Sequence, residues 1–338
     1  MSKRYIFIIA TQHHLIQFRR AVSHFQIEGN CISLIIFTND SVNSWIDELR
    51  NEYPFTDICS FDNWTFKDLF FNRTIITPYI SHIQELRQQY SDNILFLSQY
   101  SNDYSLLAIS ILKPTEIYIL DEGTANFMVS NKRKAKRRRN VKLIIKSLLY
   151  VVNLSFPKPI VYFSQYDIHL SRKEDRLVKY SFDIIDNELV VDDKSVILLG
   201  TSLTELGILK EETYLKIIET IMDNFKGKTV SYYAHRKENK NKMHLIRLLG
   251  LSVVENSKPF ECLFPDLIHN MPSVICSFAS PIIDTLSKQY KNIPEFRMYR
   301  IPSSCYKKKS IIENMLFHSF SQNPRIKIID LAELITKN

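Results

Sequence analysis

The segment 195–234, SVILLGTSLTELGILKEETYLKIIETIMDNFKGKTVSYYA, contains two short runs of β-branched and aromatic residues with a helical pattern between them. SVILLG and TVSYYA are typical of strands, and apolar residues recur at three- and four-residue spacing across 211–225. A strand, a helix and a second strand in this order predict two parallel strands joined by a covering helix. The segment therefore predicts an α/β fold.

The alternation of strand and helix patterns continues downstream to residue 288. A helical pattern over 241–249 is followed by the strand patterns LSVVE and SVICSFA and by a helical pattern over 282–288. Strands that alternate with covering helices in this way are typical of a Rossmann-like, nucleotide-binding half. We therefore predict one such domain over 191–305.

An earlier set of the same kind begins near the first residue. Its strand patterns are RYIFIIA, CISLIIF, TIITPYI, NILFLSQ and EIYILDEG, with helical patterns at 16–25 and 80–90 between them. The set predicts a first Rossmann-like domain over 1–190, and the charged stretch 167–194 is expected to be the interdomain region. The last segment, 306–338, is predicted to be helical. A helix there could pack back on the first domain.

Length and composition describe an ordinary folded protein. The chain has 338 residues, enough for two domains of about 150 residues each. With 45% hydrophobic and 24% charged residues, it is neither a disordered chain nor a multi-span membrane protein. No uncharged apolar stretch reaches about 18 residues, and the start, MSKRYIFIIATQHH, is typical of a strand rather than a signal peptide. The expected compartment is the cytoplasm.

The positive charge is concentrated in one segment. The formal net charge is +8, yet ten Lys or Arg and no acidic residue lie between Gly123 and Tyr166, which leaves 34 basic and 36 acidic residues elsewhere. Any anionic partner is therefore expected at that segment.

Several phosphate-binding and metal-binding motifs are missing from the sequence. Only six glycines occur, and neither G-x-G-x-x-G nor G-x-x-x-x-G-K-[ST] is present. The five cysteines are scattered without metal-ligand spacing, so we expect reduced core residues. No Asp-x-Asp triplet occurs, which disfavours a site that holds a cation beside a nucleoside diphosphate.

Polar residues suited to phosphate binding follow the strands of the second set. Gly200 and Thr201 follow SVILL, His235 follows TVSYYA, and Ser277 and Ser280 lie in SVICSFAS. Open α/β sheets bind ligands at the carboxyl ends of their strands. A departing monophosphate can be stabilised there by an imidazole, by hydroxyls and by a helix N-terminus. Each residue taken singly also has an ordinary structural explanation. Gly200 can serve a tight turn, His235 can be a surface or core histidine, and Ser280 can be a helix N-cap.

The segments ILDEGTANF, VILLGTSLTELG, YYAHRKEN, KPFECLF and SVICSFASPII, in this order and spacing, resemble the bacterial sialyltransferases of glycosyltransferase family 52. RYIFIIATQHHLIQF also resembles the first strand and loop of that family. The resemblance implies a GT-B fold, in which two Rossmann-like domains face a central cleft. It further implies a CMP-activated donor, usually CMP-sialic acid, a glycan or lipid-linked acceptor, inversion at the anomeric carbon, and no metal or other cofactor.

The resemblance also implies roles for individual residues. His235 and Ser280 would bind the donor phosphate, and Glu261 would lie near the cytidine ribose. The donor site would be completed by the neighbouring residues Gly200, Thr201, Arg236 and Ser277. The acceptor side would be formed by Gln12, Asp121, Glu122 and Gly123.

Three carboxylates compete for the role of general base on the acceptor hydroxyl. The family has an acidic residue just after LLG, and Glu205 is the nearest match, although the loop is longer here. Asp121 and Glu122 follow a strand of the first domain and are the other candidates, unless DEG is only a turn. A second departure is Arg236, which replaces the proline of the family's His-Pro motif and so changes the backbone next to His235.

The basic segment predicts contact with an anionic membrane surface. It precedes LIIKSLLYVV, which is apolar but too short to span a bilayer, and a solvated loop beside a buried helix is the other interpretation. On the membrane interpretation the protein is a cytoplasmic enzyme held at the inner face of the cytoplasmic membrane. The predicted contacts are Lys132, Arg133, Lys134, Lys136, Arg137, Arg138 and Arg139.

Other functions remain open to the sequence. A nucleic-acid-binding protein would use the same basic segment, but no nucleic-acid-binding signature accompanies it, so we expect no nucleic-acid partner. Within enzymes, the donor alternatives are another CMP-nonulosonate or a nucleotide-activated hexose. A polysaccharide-assembly protein that keeps the fold is a further alternative, and the sequence leaves a homodimer open.

Overall fold

The computed structural model describes residues 3–38, 43–64, 73–121, 129–130, 141–154, 159–181, 184–186, 188, 190–255, 260–278, 280–307, 317 and 320–332. The chain divides into two compact units, Met1–Ser181 and Phe182–Asn338. Each unit is built on one parallel β-sheet. The division falls before the predicted boundary at residue 190, which lies next to the first strand of the second sheet.

The first unit contains seven described strands in the order β3-β2-β1-β4-β5-β6-β7, all parallel. They are β1 (Lys3–Ile9), β2 (Ile32–Thr38), β3 (Asp57–Asp62), β4 (Asp92–Leu97), β5 (Glu116–Ile119), β6 (Val161–Ser164) and β7 (Arg176–Lys179). The described helices are α1 (Gln12–His24), α2 (Asn43–Glu52), α3 (Thr77–Gln89), α4 (Asp103–Leu112) and α5 (Val141–Tyr150). Four consecutive residues at the end of β1, from Ile6 to Ile9, are fully buried, as expected for a parallel strand covered on both faces.

One strand prediction for the first unit is wrong. The segment TIITPYI, predicted as a strand, is instead a 3₁₀ turn that leads into α3. Pro78 lies in the first helical turn, where proline is favoured. Tyr79, Ile83 and Leu86 are buried on one face of the helix. The strand that pairs with β2 is instead the more polar DICSFD of β3. The stretch 167–194, predicted as the interdomain region, contains the division between the two units after Ser181, and it also includes β7 and the start of the next strand.

The second unit contains six described strands in the order β10-β9-β8-β11-β12-β13, again all parallel. They are β8 (Val191–Leu199), β9 (Thr229–Tyr233), β10 (Ser252–Val254), β11 (Met271–Ser277), β12 (Glu295–Arg300) and β13 (Ile326–Asp330). The described helices are α6 (Glu211–Asp223), α7 (Lys240–Leu248), α8 (Phe260–Leu263) and α9 (Ile282–Gln289). The predicted alternation of strands and helices is confirmed over 195–289.

The core of the second unit lies on both faces of its sheet. Val196 and Leu198 of β8 pack in one hydrophobic cluster with α6, whereas Ile197 and Leu199 pack in another with α9. This alternation follows from the two-residue period of a strand. Within the described residues, no helix combines the length and apolar character needed to cross a bilayer.

The C-terminal segment differs from the prediction of a helix over 306–338. Residues Ile326–Asp330 form β13, which pairs in parallel with β12. Phe317 and Phe320 are buried in the same cluster as Ile326, within the second unit. Ile326 and Ile328 lie on either side of Lys327, a short alternation typical of a strand, and the run is rich in β-branched residues, which explains the correction.

Candidate functional site

The predicted donor-binding residues of the second unit lie at the carboxyl ends of three adjacent strands. Gly200 and Thr201 directly follow β8, His235 comes two residues after β9, and Ser280 comes three residues after β11. Because β8 lies between β9 and β11 and neighbouring strands are about 4.8 Å apart, the two outer strand ends are about 10 Å from each other. A nucleotide phosphate fits within that distance, and this edge is where open α/β sheets bind ligands.

A buried ion pair lies directly behind these strand ends. Lys242 on α7 is fully buried, and its Nζ lies 2.7 Å from Oε1 of Glu238, whose side chain is also fully buried. Lys242 Nζ also donates to the carbonyl oxygen of Thr201 at 3.1 Å and to Oγ1 of Thr204 at 2.8 Å. It forms a second ion pair with Glu205 at 3.0 Å. The contacts with Thr201, Thr204 and Glu205 tie α7 to the loop that follows β8.

Two buried tyrosines complete the environment of Glu238. The hydroxyl of Tyr232 donates to Glu238 Oε1 at 2.5 Å and lies 2.7 Å from the hydroxyl of Tyr214. Tyr214 Oη also receives the backbone N–H of Thr201 at 3.0 Å. Burial raises the pKa of Glu238 above its ordinary value, although Lys242 and Tyr232 lower it. Burial likewise holds the pKa of both tyrosines well above 10, so they stay protonated.

Glycine is required at position 200 because the backbone passes against this network. A Cβ built at Gly200 lies 2.4 Å from Glu238 Oε2 and 2.4 Å from the hydroxyl of Tyr232. Real Cβ atoms do not approach so closely, so the network would have to move. Gly200 therefore keeps the β8 loop close to Glu238, beyond its predicted role beside the donor.

Replacing Gly200 with alanine is expected to lower the free energy of unfolding by about 3 kcal/mol, because the added methyl overpacks a buried hydrogen-bonded site. Gly29→Ala is the matched control, since its Cβ meets only Thr56 Oγ1 at 3.4 Å, an ordinary contact. Urea denaturation of both variants tests the expectation. Equal midpoints for the two variants would contradict it.

The same network fixes His235. Its backbone N–H donates to Glu238 Oε2 at 2.6 Å, and its carbonyl oxygen accepts the N–H of Glu238 at 2.8 Å. The ring Nδ1 accepts the backbone N–H of Lys237 at 3.2 Å, which leaves Nε2 as the protonated nitrogen of the neutral ring. Burial, followed by the charges of Arg236 and Lys237, lowers the pKa of the half-buried His235. At neutral pH the ring is therefore an uncharged N–H donor at this strand end.

Glu205, one of the predicted general bases, is held by neighbours on several sides. Its Oε1 accepts the backbone N–H of Asn239 at 3.1 Å, and its Oε2 accepts from Thr204 at 2.8 Å as well as from Lys242. Burial raises its pKa, but these hydrogen bonds outweigh burial and the pKa is lowered overall. A carboxylate with a lowered pKa is a weaker proton acceptor, so the contacts of Glu205 favour a structural role.

The hydroxyls near the donor position differ in what they contact. Ser277 is fully buried and donates to the carbonyl oxygen of Leu199 at 3.1 Å, so this hydroxyl joins β11 to β8, a correction of its predicted donor contact. Thr201 is 7% exposed, and its Oγ1 has no hydrogen-bond partner among the described residues. Buried hydroxyls are nearly always satisfied, so Thr201 Oγ1 is suited to meet a ligand or a water. Ser280 is half-buried, and its contact with the donor stays a prediction.

The remaining predicted donor residues lie nearer the surface. Arg236 is exposed, beside His235, and Glu261 is half-buried in the first turn of α8. Neither position tests the predicted contact. Among the described residues, no group of three or more His, Cys, Asp or Glu side chains is arranged to hold a metal ion.

In the first unit, Asp121 lies just beyond the carboxyl end of β5 and is 1% exposed. Its Oδ2 accepts hydrogen bonds from Ser164 Oγ at 2.9 Å, the N–H of Gln165 at 3.1 Å and the hydroxyl of Tyr180 at 3.2 Å. Burial raises the pKa of Asp121 to about 6, against the opposing effect of these hydrogen bonds. Such a carboxylate is ionised at neutral pH and is still basic enough to accept a proton.

Other predicted residues fall outside what the structure describes. Glu122, Gly123 and the basic residues of 132–139 are not among the described residues, and Gln12 is described only as the first residue of α1. The sequence analysis missed Tyr214, Tyr232, Glu238 and Lys242. The four-residue spacing of Glu238 and Lys242 was the available signal, but it is also typical of exposed helical ion pairs.

Comparison with known proteins shows the fold. No protein-family model and no curated protein matches the sequence. A UDP-GlcNAc 2-epimerase from Methanocaldococcus jannaschii has a similar structure, with a TM-score of 0.54 and 12% identity over 98% of this chain and 91% of that chain. A UDP-GlcNAc 2-epimerase from Neisseria meningitidis bound to UDP-GlcNAc has a TM-score of 0.51 and 11% identity, over 99% and 90% of the two chains. Alr3699/HepE from Anabaena, in complex with UDP-glucose, has a TM-score of 0.50 and 8% identity, over 95% and 91%.

These identities are too low to carry more than the fold. Together with the two parallel-sheet α/β units, the similarity shows a GT-B type fold, as the sequence predicts.

Proposed function

We propose that this protein is an inverting, metal-independent sialyltransferase that moves sialic acid from CMP-sialic acid to a terminal galactose, or a similar sugar, of a bacterial surface glycan. Two of the structural neighbours are UDP-GlcNAc 2-epimerases and the third was solved with UDP-glucose, which supports a nucleotide-sugar donor but does not select CMP-sialic acid. The CMP-sialic acid donor is supported by the resemblance of ILDEGTANF, YYAHRKEN and SVICSFASPII to family 52.

The observation that carries the proposal is the fixed imidazole at the end of β9. Glu238 anchors the His235 backbone at 2.6 Å, and Lys237 occupies Nδ1, so Nε2–H is the donor that remains. Thr201, whose buried hydroxyl has no hydrogen-bond partner in the described part of the chain, follows the adjacent strand. Two hydrogen-bond donors at neighbouring strand ends suit a phosphate oxygen that gains charge as CMP departs.

The reaction needs few groups from the protein. The acceptor hydroxyl oxygen attacks the anomeric carbon of sialic acid while the bond from that carbon to the CMP phosphate oxygen breaks. The electron pair of the broken bond leaves with CMP, and the proton of the acceptor passes to a carboxylate. Attack opposite the leaving group inverts the anomeric centre. His235 and Thr201 stabilise the leaving phosphate, and no redox step or covalent enzyme intermediate is required.

Of the described carboxylates, Asp121 suits the proton transfer best. Its pKa of about 6 lies close to neutral pH, where a general base is most effective. Glu205 has a lowered pKa and is bound to Lys242. We therefore propose Asp121 as the base.

The direct test is incubation with CMP-sialic acid and a panel of galactose-terminated acceptors, with products read by mass. Stabilisation of the protein by CMP against thermal unfolding is the companion measurement. We expect sialylated product and a CMP-dependent rise in Tm. Product from UDP-glucose alone would identify a hexosyltransferase, and turnover of UDP-GlcNAc without an acceptor would identify an epimerase. Either result would overturn the proposal, as would turnover of none of these donors.

Replacing His235 with alanine is expected to lower kcat about a hundredfold, because the donor to the leaving phosphate is lost. The backbone contact with Glu238 survives the change, so Tm should stay within a few degrees of wild type. His244→Ala is the matched control, since this histidine is exposed on α7. A fully active His235→Ala variant would remove the proposed role.

A further inference from the structure

One helix of the first unit exposes a row of large apolar side chains. On α5 and the residue that follows it, Ile144 is 48% exposed, Ile145 44%, Leu148 74% and Val151 87%. Their spacing places all four along one side of the helix. Single exposed apolar residues are ordinary, but four within eight positions form a patch, and such patches mark interaction surfaces.

The opposite side of α5 is anchored to the first unit, so the patch is not a core face awaiting a partner within this unit. Tyr150 is 3% exposed and donates its hydroxyl to Asp103 Oδ2 at 2.7 Å. Lys146 forms an ion pair with the same carboxylate. Ser147 Oγ accepts the backbone N–H of Leu154 at 3.1 Å, which fixes the chain after the helix. The orientation of α5 is therefore set, with its apolar side outward.

Val151 strengthens the case for a functional surface. Its φ is +54°, in the left-handed region that a β-branched residue rarely adopts, and its side chain is the most exposed of the four. Glycine or asparagine is the usual residue at this position after a helix. The backbone N–H of Val152 donates to the carbonyl oxygen of Ser147 at 3.2 Å, so the backbone of Val151 helps to end the helix, but its β-branched side chain is strained there and lies in solvent.

The sequence around the patch points to an anionic partner. Residues 131–140, directly before α5, include seven Lys or Arg, and no acidic residue occurs between Gly123 and Tyr166. Arg138 and Arg139 come two to three residues before the start of α5 in the sequence. Apolar side chains beside a dense positive charge match the interface of an anionic phospholipid bilayer, where acyl chains lie beneath phosphate headgroups.

We propose that the exposed side of α5 inserts into the interface of an anionic phospholipid membrane, with the basic residues before it attracted to the headgroups. The helix lies along the membrane and does not cross it. This proposal is argued from the contacts and exposed side chains of α5 and does not depend on the proposed catalytic activity. It would bring an enzyme acting on a lipid-linked acceptor to the surface where that acceptor lies.

Vesicle co-sedimentation of single variants tests the proposal. With mixed phosphatidylglycerol and phosphatidylcholine vesicles, we expect Leu148→Ser to bind about tenfold more weakly than wild type. Leu248→Ser is the matched control, since Leu248 is 69% exposed near the end of α7 in the second unit, and it should bind as wild type does. Because both leucines are exposed, thermal unfolding of the two variants should match wild type.

Two further measurements separate the apolar and the electrostatic contributions. Added salt should weaken wild-type binding but leave the ratio between wild type and Leu148→Ser unchanged, because only the charge attraction is screened. Leu148→Trp should shift its emission to the blue on adding the vesicles, and Leu248→Trp should not. The proposal would be overturned if the wild-type protein did not bind the vesicles, or if Leu148→Ser bound them as tightly as wild type. Self-association that Leu148→Ser abolishes, without vesicle binding, would assign the surface to a second copy of the chain.

Discussion

Lys242→Met is expected to lower the free energy of unfolding by about 4 kcal/mol, because it leaves the Glu238 carboxylate buried without its cation. Glu238 lies 2.7 Å from Lys242 Nζ, and both side chains are fully buried. Methionine fills a similar volume, so the loss reports the charge rather than a cavity. Urea denaturation measures the effect. Lys240→Met, at the exposed first residue of the same helix, is the control and should change stability little.

The pH dependence of the Lys242→Met defect follows from Glu238. Burial already raises the pKa of Glu238, and loss of Lys242 raises it further. A group whose folded pKa exceeds its unfolded value favours the folded state at low pH and disfavours it as pH rises. The variant should therefore be closest to wild type at mildly acidic pH and furthest from it above neutrality. A defect that is constant across this range would show that Glu238 is not the cause.

A second substitution distinguishes the effect of the Lys242–Glu238 ion pair from the effects of the other contacts of Lys242. In Lys242→Met/Glu238→Gln the buried carboxylate is gone, so we expect part of the lost stability to return, although Glu205 still lacks its cation. His235 should remain affected, because its N–H bonds a weaker, neutral acceptor. A double variant that is stable but slow in transfer would show that the ion pair positions His235. Stability that falls further than in either single variant would contradict the pairing.

The second sheet shows how far local pattern carries a prediction. SVILLG, TVSYYA and SVICSFA were predicted as strands because they are short runs rich in β-branched and aromatic residues, and each forms an interior strand of the sheet. β12 and β13 were missed because charged residues interrupt their apolar residues, although Tyr299 and Ile329 also pack on the face opposite Phe296 and Ile326. Phe296 and Met298 are buried, whereas Glu295, Arg297 and Lys327 form ion pairs on the other side. Charged residues in these strands hide the alternation from a search for apolar runs.

The first sheet shows a different limit. TIITPYI has the β-branched composition of a strand, but its proline and the burial of Tyr79, Ile83 and Leu86 make it a helix start. The strand at that edge, DICSFD, is only partly buried and carries an aspartate at each end. An edge strand contributes less to the core, so its sequence is less constrained.

The candidate site was predictable where position along a strand decides it. Gly200, Thr201, His235 and Ser280 were identified because they follow strands of a parallel sheet. Lys242 and Glu238 were not, because a lysine four residues from a glutamate is normally an exposed pair. Their burial depends on Tyr214 and Tyr232, which come from α6 and β9 and meet them only in the folded unit.

Asp121→Asn is expected to lower kcat about a thousandfold while making the protein more stable at neutral pH. As the proposed base, Asp121 accepts the proton of the acceptor hydroxyl, which asparagine cannot do. General base catalysis contributes about 10²- to 10⁴-fold to the rate, so its loss should be of this size. The carboxylate is also buried, with its pKa raised from 3.8 to about 6. Asparagine keeps an oxygen that can accept the hydrogen bonds from Ser164 and Tyr180 without the buried charge.

The stability gain of Asp121→Asn should depend on pH in a defined direction. Between pH 3.8 and about 6 the folded wild-type protein holds a proton that the unfolded chain has lost, so wild-type stability falls as pH rises through this window. The variant lacks this titration. Its advantage should be absent near pH 4 and reach about 3 kcal/mol above pH 7, as the shift of about two pKa units requires.

Two comparisons make the Asp121 result decisive. Asp62→Asn changes an exposed aspartate at the carboxyl end of β3 and should alter neither kcat nor the pH profile of stability. Glu205→Gln should lower stability through its contacts with Lys242 and Asn239, and change kcat far less than Asp121→Asn. The reverse order of kcat would transfer the base to Glu205. A stable but fully active Asp121→Asn would leave the carboxylate as a buried structural group, and the proton would then have to pass to another residue.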